Sequence, residues 1–442
     1  MIQEGYDKYR GGAFRIPGIS KWTVVISGHK MVEELKKAPD EHVSFLEAAA
    51  ESIQMVHTLG PEVYHDSYHI PVIRSTLTRH LVECFPDMQD ELVTAFAEHL
   101  PPTEDWTSAT VLPTAMQIVC RTSNRMFVGL PLCRNLDYRS INITFTIDVM
   151  KAAQMINLFP NILKPLAGRF FSNVPTTVKR AMRHLEPIIL ERLHQEEQYG
   201  KEWPGKPNDF LSWLIDLSEG NQRTPRELTM RVLATNFAAI HTTSMAFTQA
   251  LLNLAAYPSH VPEMREEVEA LIKEDGLTKV SLNKMRKIDS FIKESMRLGN
   301  GTAVSMQRKL LKDFTFSDGT FVPKGHTIAV ANFATHRDEE NYTDPNIFDG
   351  FRFSRMSDKE NEAFNRHQAV ALGLDYIVFG NGRHACPGRF FAVNELKALL
   401  VHVLLNYDVS LKEDTERPSD LWHSYRSAPD PKAAVMFRKR CA

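Results

Sequence analysis

The residue types best suited to chemistry in this chain of 442 residues sit in the stretch Phe379–Phe391, FGNGRHACPGRFF. Cys386 lies in a loop of small and polar residues. Directly behind it come apolar residues at Val393, Leu396, Leu399, Leu400, Val403 and Leu404, the spacing of a helix with one buried face. A sulfur just before a helix N-terminus meets unpaired backbone N–H groups and the positive end of the dipole, which favours a metal-ligating thiolate. Gly380, Gly382 and Gly388 add no side-chain bulk, so a large flat group could lie against the backbone. Pro387 is pre-set for a first helical turn, and Arg383 and His384 bring a positive and a titratable group close by. The alternative for an isolated cysteine is a buried thiol with a packing role.

Two other groups of residues stand out. Thr224-Pro225 supplies an N-cap and a first helical residue, and helix-compatible sequence continues to Tyr257, ahead of Pro258. Its middle, NFAAIHTTSMAF, sets His241 beside the hydroxyls of Thr242 and Thr243. Threonine is not favoured inside a helix, so these hydroxyls either bond back to a carbonyl of the preceding turn or serve a cavity. Glu294 and Arg297, three residues apart in a helical pattern, can pair on one face. As a solvated pair they would contribute only about a few tenths of a kcal/mol.

Together these residues resemble the cytochrome P450 family. Phe379, Gly380, Gly382, His384, Cys386 and Gly388 match its haem-thiolate loop, F-G-x-G-x-[HR]-x-C-x-G, a coincidence expected on the order of 10⁻⁶ of the time in a chain of this length. Ala238, Ala239, Ile240, His241 and Thr242 stand where the family has A-G-x-[DE]-T, with Ala239 in place of the glycine and His241 in place of the acid. Glu294 and Arg297 match E-x-x-R, and Arg352 in IFDGFRF stands where the family has the arginine that joins this pair behind the haem. The resemblance runs from about Gly12 onward. It implies one mainly α domain over residues 1–442 with a small β portion, haem b held between the long central helix and the cysteine loop, and Cys386 as axial ligand of the iron. Phe379, Gly380 and Gly388 then border the cofactor. His384, Arg308 and Arg74, with His69 behind the last, would neutralise its propionates; for Arg74 a solvated basic face is an equal alternative. Thr242 would handle protons across the haem from the thiolate. His241, which titrates near neutrality, would either replace the missing acid in that relay or point away.

The reaction so implied is insertion of one atom of O₂ into a lipophilic small molecule. Electrons would come from NADPH through a separate NADPH–cytochrome P450 reductase, because this chain carries no flavin or nicotinamide fingerprint of its own. Arg383, Arg389 and Lys397 are candidates for a basic face on which an acidic reductase docks, with ordinary solvated charge as the alternative. The His-Thr-Thr form of the central motif is similar to that of fungal members of secondary metabolism acting on terpenoids and indole-diterpenes. A reductase-independent haem-thiolate isomerase or dehydratase, or a non-catalytic haem sensor, would keep the same cysteine loop. Retention of Thr242 argues for monooxygenation, and a long helix with a hydroxyl pair serves no evident sensing need.

Composition agrees with a large folded core and excludes several classes. The chain is 43% hydrophobic with a formal charge of −2, which argues against a nucleic-acid partner. Five cysteines without a C-x-x-C pair fit a reducing compartment better than a disulfide framework. No run of about 18 apolar residues occurs, and the polar start MIQEGYDKYRGG is no signal peptide. The resemblance implies an N-terminal membrane anchor and Pro-rich hinge, on the order of 40–70 residues, preceding these 442. It would put the protein on the endoplasmic reticulum membrane with its catalytic domain facing the cytosol.

The positioning elements follow from periodicity. Residues 13–27 read as a small hairpin, and residues 112–128 and 178–197 as helices. MKAAQMINLFPNILKPLAGRFF reads as a core layer or as an entrance facing membrane or a lipophilic ligand. FTFSDGTFVPKG reads as short strands around D-G and P-K-G turns, with a pocket-bordering strand from Thr302 to Met306. SYRSAPDPKAAVMFRKR reads as a last hairpin.

Overall fold

The structure, a computed structural model, describes residues 1–18, 21–299, 301–359 and 364–440, so that Cys441 lies outside the described residues. The contacts divide the chain into two compact units. The first is Met1–Ser52, Arg286–Arg389 and Pro418–Asp430; the second is Ile53–Met285, Phe390–Arg417 and Pro431–Ala442.

The first unit is built on a five-stranded sheet in the order Ala13–Pro17, Trp22–Ile26, Thr327–Ala331, Val304–Leu310 and Val43–Ser44. The β-branched run Thr23 to Ile26 pairs in parallel with Thr327 to Val330, and the other neighbours are antiparallel. Alternate side chains go to opposite faces, as a pleated strand requires. Val24, Ile26, Ile328 and Val330 pack with Met31, Val32 and Leu35 of the helix His29–Lys37. Val25, Ala329 and Ala331 pack instead with Tyr6 and Phe14. The ladder slips between Ser305 and Arg308, and Met306 there has φ 50°. A bulge of this kind re-aims the side chains that follow it, and Arg308 is among them.

The hairpin expected at residues 13–27 is present as Ala13–Pro17 and Trp22–Ile26. The expected last hairpin is different. Leu421–His423 pairs with Arg426–Ala428 in the first unit, whereas Ala434–Lys439 lies between Thr107–Thr110 and Tyr407–Ser410 in a three-stranded sheet of the second. Asp430-Pro431 separates the two, since proline has no N–H with which to continue a ladder.

Behind the cysteine loop, the helix Arg286–Leu298 carries Glu294 and Arg297, both wholly buried. Arg297 Nε and Nη2 each donate to a Glu294 carboxylate oxygen at 2.7 Å, and Arg352 Nε donates to Oε1 at 3.1 Å. The N–H of Asp349 adds a fourth bond at 3.2 Å. The remaining guanidinium N–H groups reach carbonyls. Arg297 Nη1 donates to Pro345 at 2.7 Å and to His336, and Arg352 Nη2 to Asp344 at 3.2 Å and Ile347 at 3.1 Å. The Glu294–Arg297 pair is therefore no surface pair.

The second unit is largely helical. Its longest helix, Pro225–Ala256, has 32 residues and is capped by Thr224 Oγ1, which accepts the Glu227 N–H at 3.4 Å. Met230, Leu233 and Ala234 of this helix pack with Ile141, Phe145 and Val149 of Leu136–Ile156 and with Val174, Val178 and Ala181 of Val174–Tyr199. The helix Arg389–Asn406 departs from its amphipathic reading, because residues 393–401 are buried without a break. Glu395 and Lys397 are buried with the apolar positions. Lys397 Nζ donates to the Leu282 carbonyl at 3.1 Å, and the Glu395 carboxyl oxygens accept from Ser123 Oγ at 2.9 and 3.1 Å. Burial pushes the Glu395 carboxyl up to about 8, and the Ser123 hydrogen bond only partly offsets it.

Two outcomes follow from these buried charges. Glu294→Ala leaves two buried guanidiniums short of their carboxylate, and chemical denaturation should show a loss of about 3–5 kcal/mol. Glu395 behaves in the opposite sense. Its folded pKa lies above the unfolded value, so ionisation favours the unfolded chain and stability falls as pH rises from the unfolded pKa toward the folded one. Glu395→Gln, which keeps a hydrogen bond to Ser123, should therefore be more stable than wild type at pH 7, on the order of a few kcal/mol. The gain should disappear below about pH 4, as a pH series of unfolding curves would register.

Candidate active site

The cysteine loop belongs to the first unit and is closed by its own backbone. The Cys386 N–H donates to the Phe379 carbonyl at 2.8 Å, and the Gly380 N–H to Ile377 at 3.0 Å. Gly380 and Gly382 both have φ +68°, the left-handed region that glycine enters without strain. At Gly380 a Cβ would meet nothing nearer than 3.8 Å, so conformation and not clearance sets the glycine there; at Gly382 a Cβ would also lie 2.8 Å from Lys36 Cγ. Asn381 ties the turn down, its side chain accepting from the Gly382 N–H at 2.7 Å and donating to the Gly373 carbonyl at 2.9 Å.

The backbone N–H groups of Gly388 and Arg389, those expected to lie near a residue before a helix, favour the ionised form of the Cys386 sulfur. Burial nevertheless outweighs them and the Arg389 charge, and pushes the thiol above its ordinary value. The helix N-terminus does not by itself keep this sulfur ionised. A thiolate here needs a cation.

Around the loop, His384 Nε2 lies 2.6 Å from an Asp40 carboxylate oxygen, and its ring stacks on Phe45 with centroids 5.3 Å apart. The Arg308 guanidinium also lies over Phe45, 5.3 Å from the ring centroid. Arg308 is 4% exposed and donates to the carbonyl of Gln307 at 2.9 Å. Among the described residues it has no carboxylate within ion-pair distance, and desolvation lowers it to about 10. A buried cation without a paired carboxylate is costly, and the more distant Asp40 charge offsets the burial only in part, so the surroundings of Arg308 suit an anionic group of a bound molecule.

The second unit carries the other candidates. Along the long helix, residues 228–236 and 247–255 are buried, but Ala238 and Thr242 between them are exposed. Thr242 Oγ1 donates back to the Ala238 carbonyl at 2.7 Å, so the back-bonding reading holds while the side chain remains on the open face. His241 points elsewhere. Its Nε2 lies 2.8 Å from the Ile143 carbonyl of the neighbouring helix, which makes Nε2 a donor, and burial lowers its pKa. The relay reading of His241 is thus corrected: it is a neutral ring tying two helices together. Arg74 is exposed on a π-helical turn, Val72–Leu77. His69 does not lend it charge, because burial and the nearby Arg231, whose Nη1 is 3.5 Å from His69 Nδ1, hold its pKa down to about 4.

Thus Phe379, Gly380, His384, Cys386, Gly388 and Arg308 come together in the first unit with the Glu294, Arg297 and Arg352 network, while Thr242, His241 and Arg74 belong to the second. The proposed basic face loses Lys397, which is 4% exposed. Arg389 is turned inward, donating to the carbonyls of Val370 at 3.2 Å and Cys386 at 3.1 Å. Lys37 and Arg383, with side chains 72% and 48% exposed, are the outward cations next to the loop. Asp40, Phe45 and Lys37 carry no motif and were invisible to pattern reading.

The family model for cytochrome P450 matches residues 2–435. A relative from the fungus Postia placenta, cytochrome P450 monooxygenase 110, is 45% identical over all of this chain and 88% of its own length. Cytochrome P450 monooxygenase CYP512U6 from Ganoderma lucidum is 34% identical over all of this chain and 86% of its own. Among solved structures, the haem domain of cytochrome P450DA superposes with a TM-score of 0.76 at 18% identity, covering all of this chain and 93% of that one; it is similar in fold.

Proposed function

Because the chain belongs to the cytochrome P450 family and is a monooxygenase of that family, we propose that it inserts one atom of O₂ into a lipophilic small molecule of secondary metabolism, a terpenoid or indole-diterpene, using haem b and electrons from NADPH through a separate reductase. A haem, O₂ and a redox partner come with the family. The identities of substrate, haem type and reductase are the proposal. The observation that carries it is Cys386, set at the end of a loop closed on the Phe379 carbonyl, in the same unit as the buried guanidinium of Arg308, which among the described residues has no carboxylate within ion-pair distance.

When bound, the haem supplies oxygen activation, and a thiolate ligand donates electron density that favours O–O cleavage. Cys386 would hold the iron, and Phe379, Gly380 and Gly388 would border the ring. Arg308, His384 and Arg74 would take the propionates, Arg308 with the strongest physical case because it is buried and among the described residues has no carboxylate within ion-pair distance. Thr242 is the proton-handling residue. With its hydrogen engaged by Ala238, Oγ1 offers lone pairs, so it orients a water or substrate hydroxyl by accepting from it and donates only on leaving Ala238. His241 takes no part.

The reductase is assigned to the side of the loop that bears Lys37 and Arg383. Membrane attachment at the endoplasmic reticulum, with the catalytic part in the cytosol, rests on a different surface. Leu158, Ile162, Leu163, Leu166, Phe170 and Phe171 are exposed along Asn161–Leu163 and Lys164–Phe171 and just before them, Ile162 at 87% and Phe170 at 75%. Such a patch suits a lipid surface or an entering lipophilic ligand. Among the described residues no helix is long and apolar enough to cross a membrane.

The reduced, CO-bound protein should show the red-shifted Soret band of a thiolate ligand, and Cys386→Ser should abolish it. Product should require NADPH, reductase and O₂ together; formation without reductase and O₂ would replace the reading by an isomerase or dehydratase. Thr242→Val should lower product formed per NADPH consumed by about tenfold or more. His241→Ala should leave that ratio unchanged while costing about 1 kcal/mol of stability. A Lys37→Glu, Arg383→Glu double variant should slow reductase-driven turnover and flatten its salt dependence, with reduction by dithionite unaffected.

A further inference from the structure

Two residues before Phe379, the backbone of Ile377 is gripped by side chains from two other elements. Its N–H donates to Nε2 of His336 at 3.0 Å, and its carbonyl accepts from Ser305 Oγ at 3.2 Å as well as from the Gly380 N–H at 3.0 Å. His336 follows the short helix Asn332–Thr335, is wholly buried, and stacks on Tyr376 with ring centroids 5.6 Å apart at 23°. Its own carbonyl accepts from Arg297 Nη1. A continuous path therefore runs from the Glu294 carboxylate through Arg297 and His336 to Ile377. Two residues further on, the Phe379 carbonyl holds the Cys386 N–H at 2.8 Å.

We propose that His336 is a positioning residue for the reaction: by accepting the Ile377 N–H at Nε2 while its carbonyl takes Arg297, it transmits the geometry of the Glu294–Arg297 pair to the cysteine loop and sets where the Cys386 sulfur points. The inference rests on the reading of Cys386 as haem ligand. A buried histidine serving only to fill space would need some partner for each ring nitrogen, but not one on the segment that enters the ligand loop. The ring is kept in its accepting form, since burial, with the charges of Arg297 and Arg337, lowers its pKa to about 3. A second proton at Nε2 would face the Ile377 N–H, donor against donor. Small displacements of a reacting group are expensive in rate, and the loop between Phe379 and Cys386 has two left-handed glycines and no ladder to correct an error at its entrance.

Two variants of the haem-loaded full chain separate this role from packing. His336→Gln places a carbonyl oxygen at the reach of Nε2; His336→Phe keeps a ring on Tyr376 and removes the acceptor. His336→Phe should speed amide hydrogen exchange at Ile377 by about tenfold, move part of the CO-bound population from the thiolate band to that of a neutral thiol, and lower kcat at an unchanged KM. His336→Gln should restore all three. Ser305→Ala, which removes only the carbonyl-side bond and is milder to folding, should shift the same signals in the same direction by less. Unchanged exchange and an unchanged CO band in His336→Phe and Ser305→Ala overturn the inference, as does equal impairment of the Phe and Gln variants. A wild-type protein without the thiolate band overturns the haem-thiolate reading itself, and the inference with it.

Discussion

The buried carboxylate of Glu294 is the constraint on which the first unit depends. Burying three charges together costs several kcal/mol per ion, and the arrangement survives only if every remaining N–H finds an acceptor. Arg297 and Arg352 satisfy that demand by reaching the carbonyls of His336, Asp344, Pro345 and Ile347. Residues 338–351 contain no regular helix or strand, so guanidinium N–H groups do for this stretch what ladder bonds do elsewhere. The ion network is a fastening for irregular backbone, and the cysteine loop is reached through that backbone.

Two groups near the loop are each unfavourable in isolation. Burial makes the Cys386 thiol reluctant to ionise, although the neighbouring backbone N–H groups of Gly388 and Arg389 favour the ionised form. Burial also makes the Arg308 guanidinium expensive, although the bulge at Met306 directs it to where it stands. A cation would relieve the first and an anion the second. A cofactor with a metal at its centre and carboxylates at its edge relieves both, so the site's complementarity to haem lies in its defects as much as in its contacts.

Much of this was legible in the sequence, for identifiable reasons. The loop residues Phe379 to Gly388 and the Glu294, Arg297 and Arg352 set are motifs because their types are fixed by a cofactor and by charge pairing. The long helix was legible because Thr224-Pro225 announces its start. Partners that are backbone carbonyls were not legible, since a carbonyl has no residue identity. The attachment of His241 to Ile143, of Lys397 to Leu282 and of Arg297 to His336 all belong to that class. Lys397 was misread for a second reason. Its helix is buried nearly all round, and a single apolar stripe undercounts the buried face of such an element. At Gly380 and Gly382 the absence of side-chain bulk is an incomplete reason for glycine, because their left-handed backbone angle demands it independently of clearance.

The departure at His241 follows from the same logic of acceptors. At this position the long helix faces the Ile143 carbonyl of a neighbouring helix. An ionised Asp or Glu aimed there would set oxygen against oxygen in a buried place, an arrangement that costs free energy on both sides. Histidine brings a donor and enough apolar surface for burial, and the environment keeps it neutral. The residue type at 241 is therefore set by the helix beside it, and a proton relay is not needed to explain it. Thr242, one residue on and on the open face, is left as the side chain of the pair that can touch a ligand. With its hydrogen engaged by the Ala238 carbonyl, that hydroxyl presents lone pairs on the open face, one helical turn after Ala239.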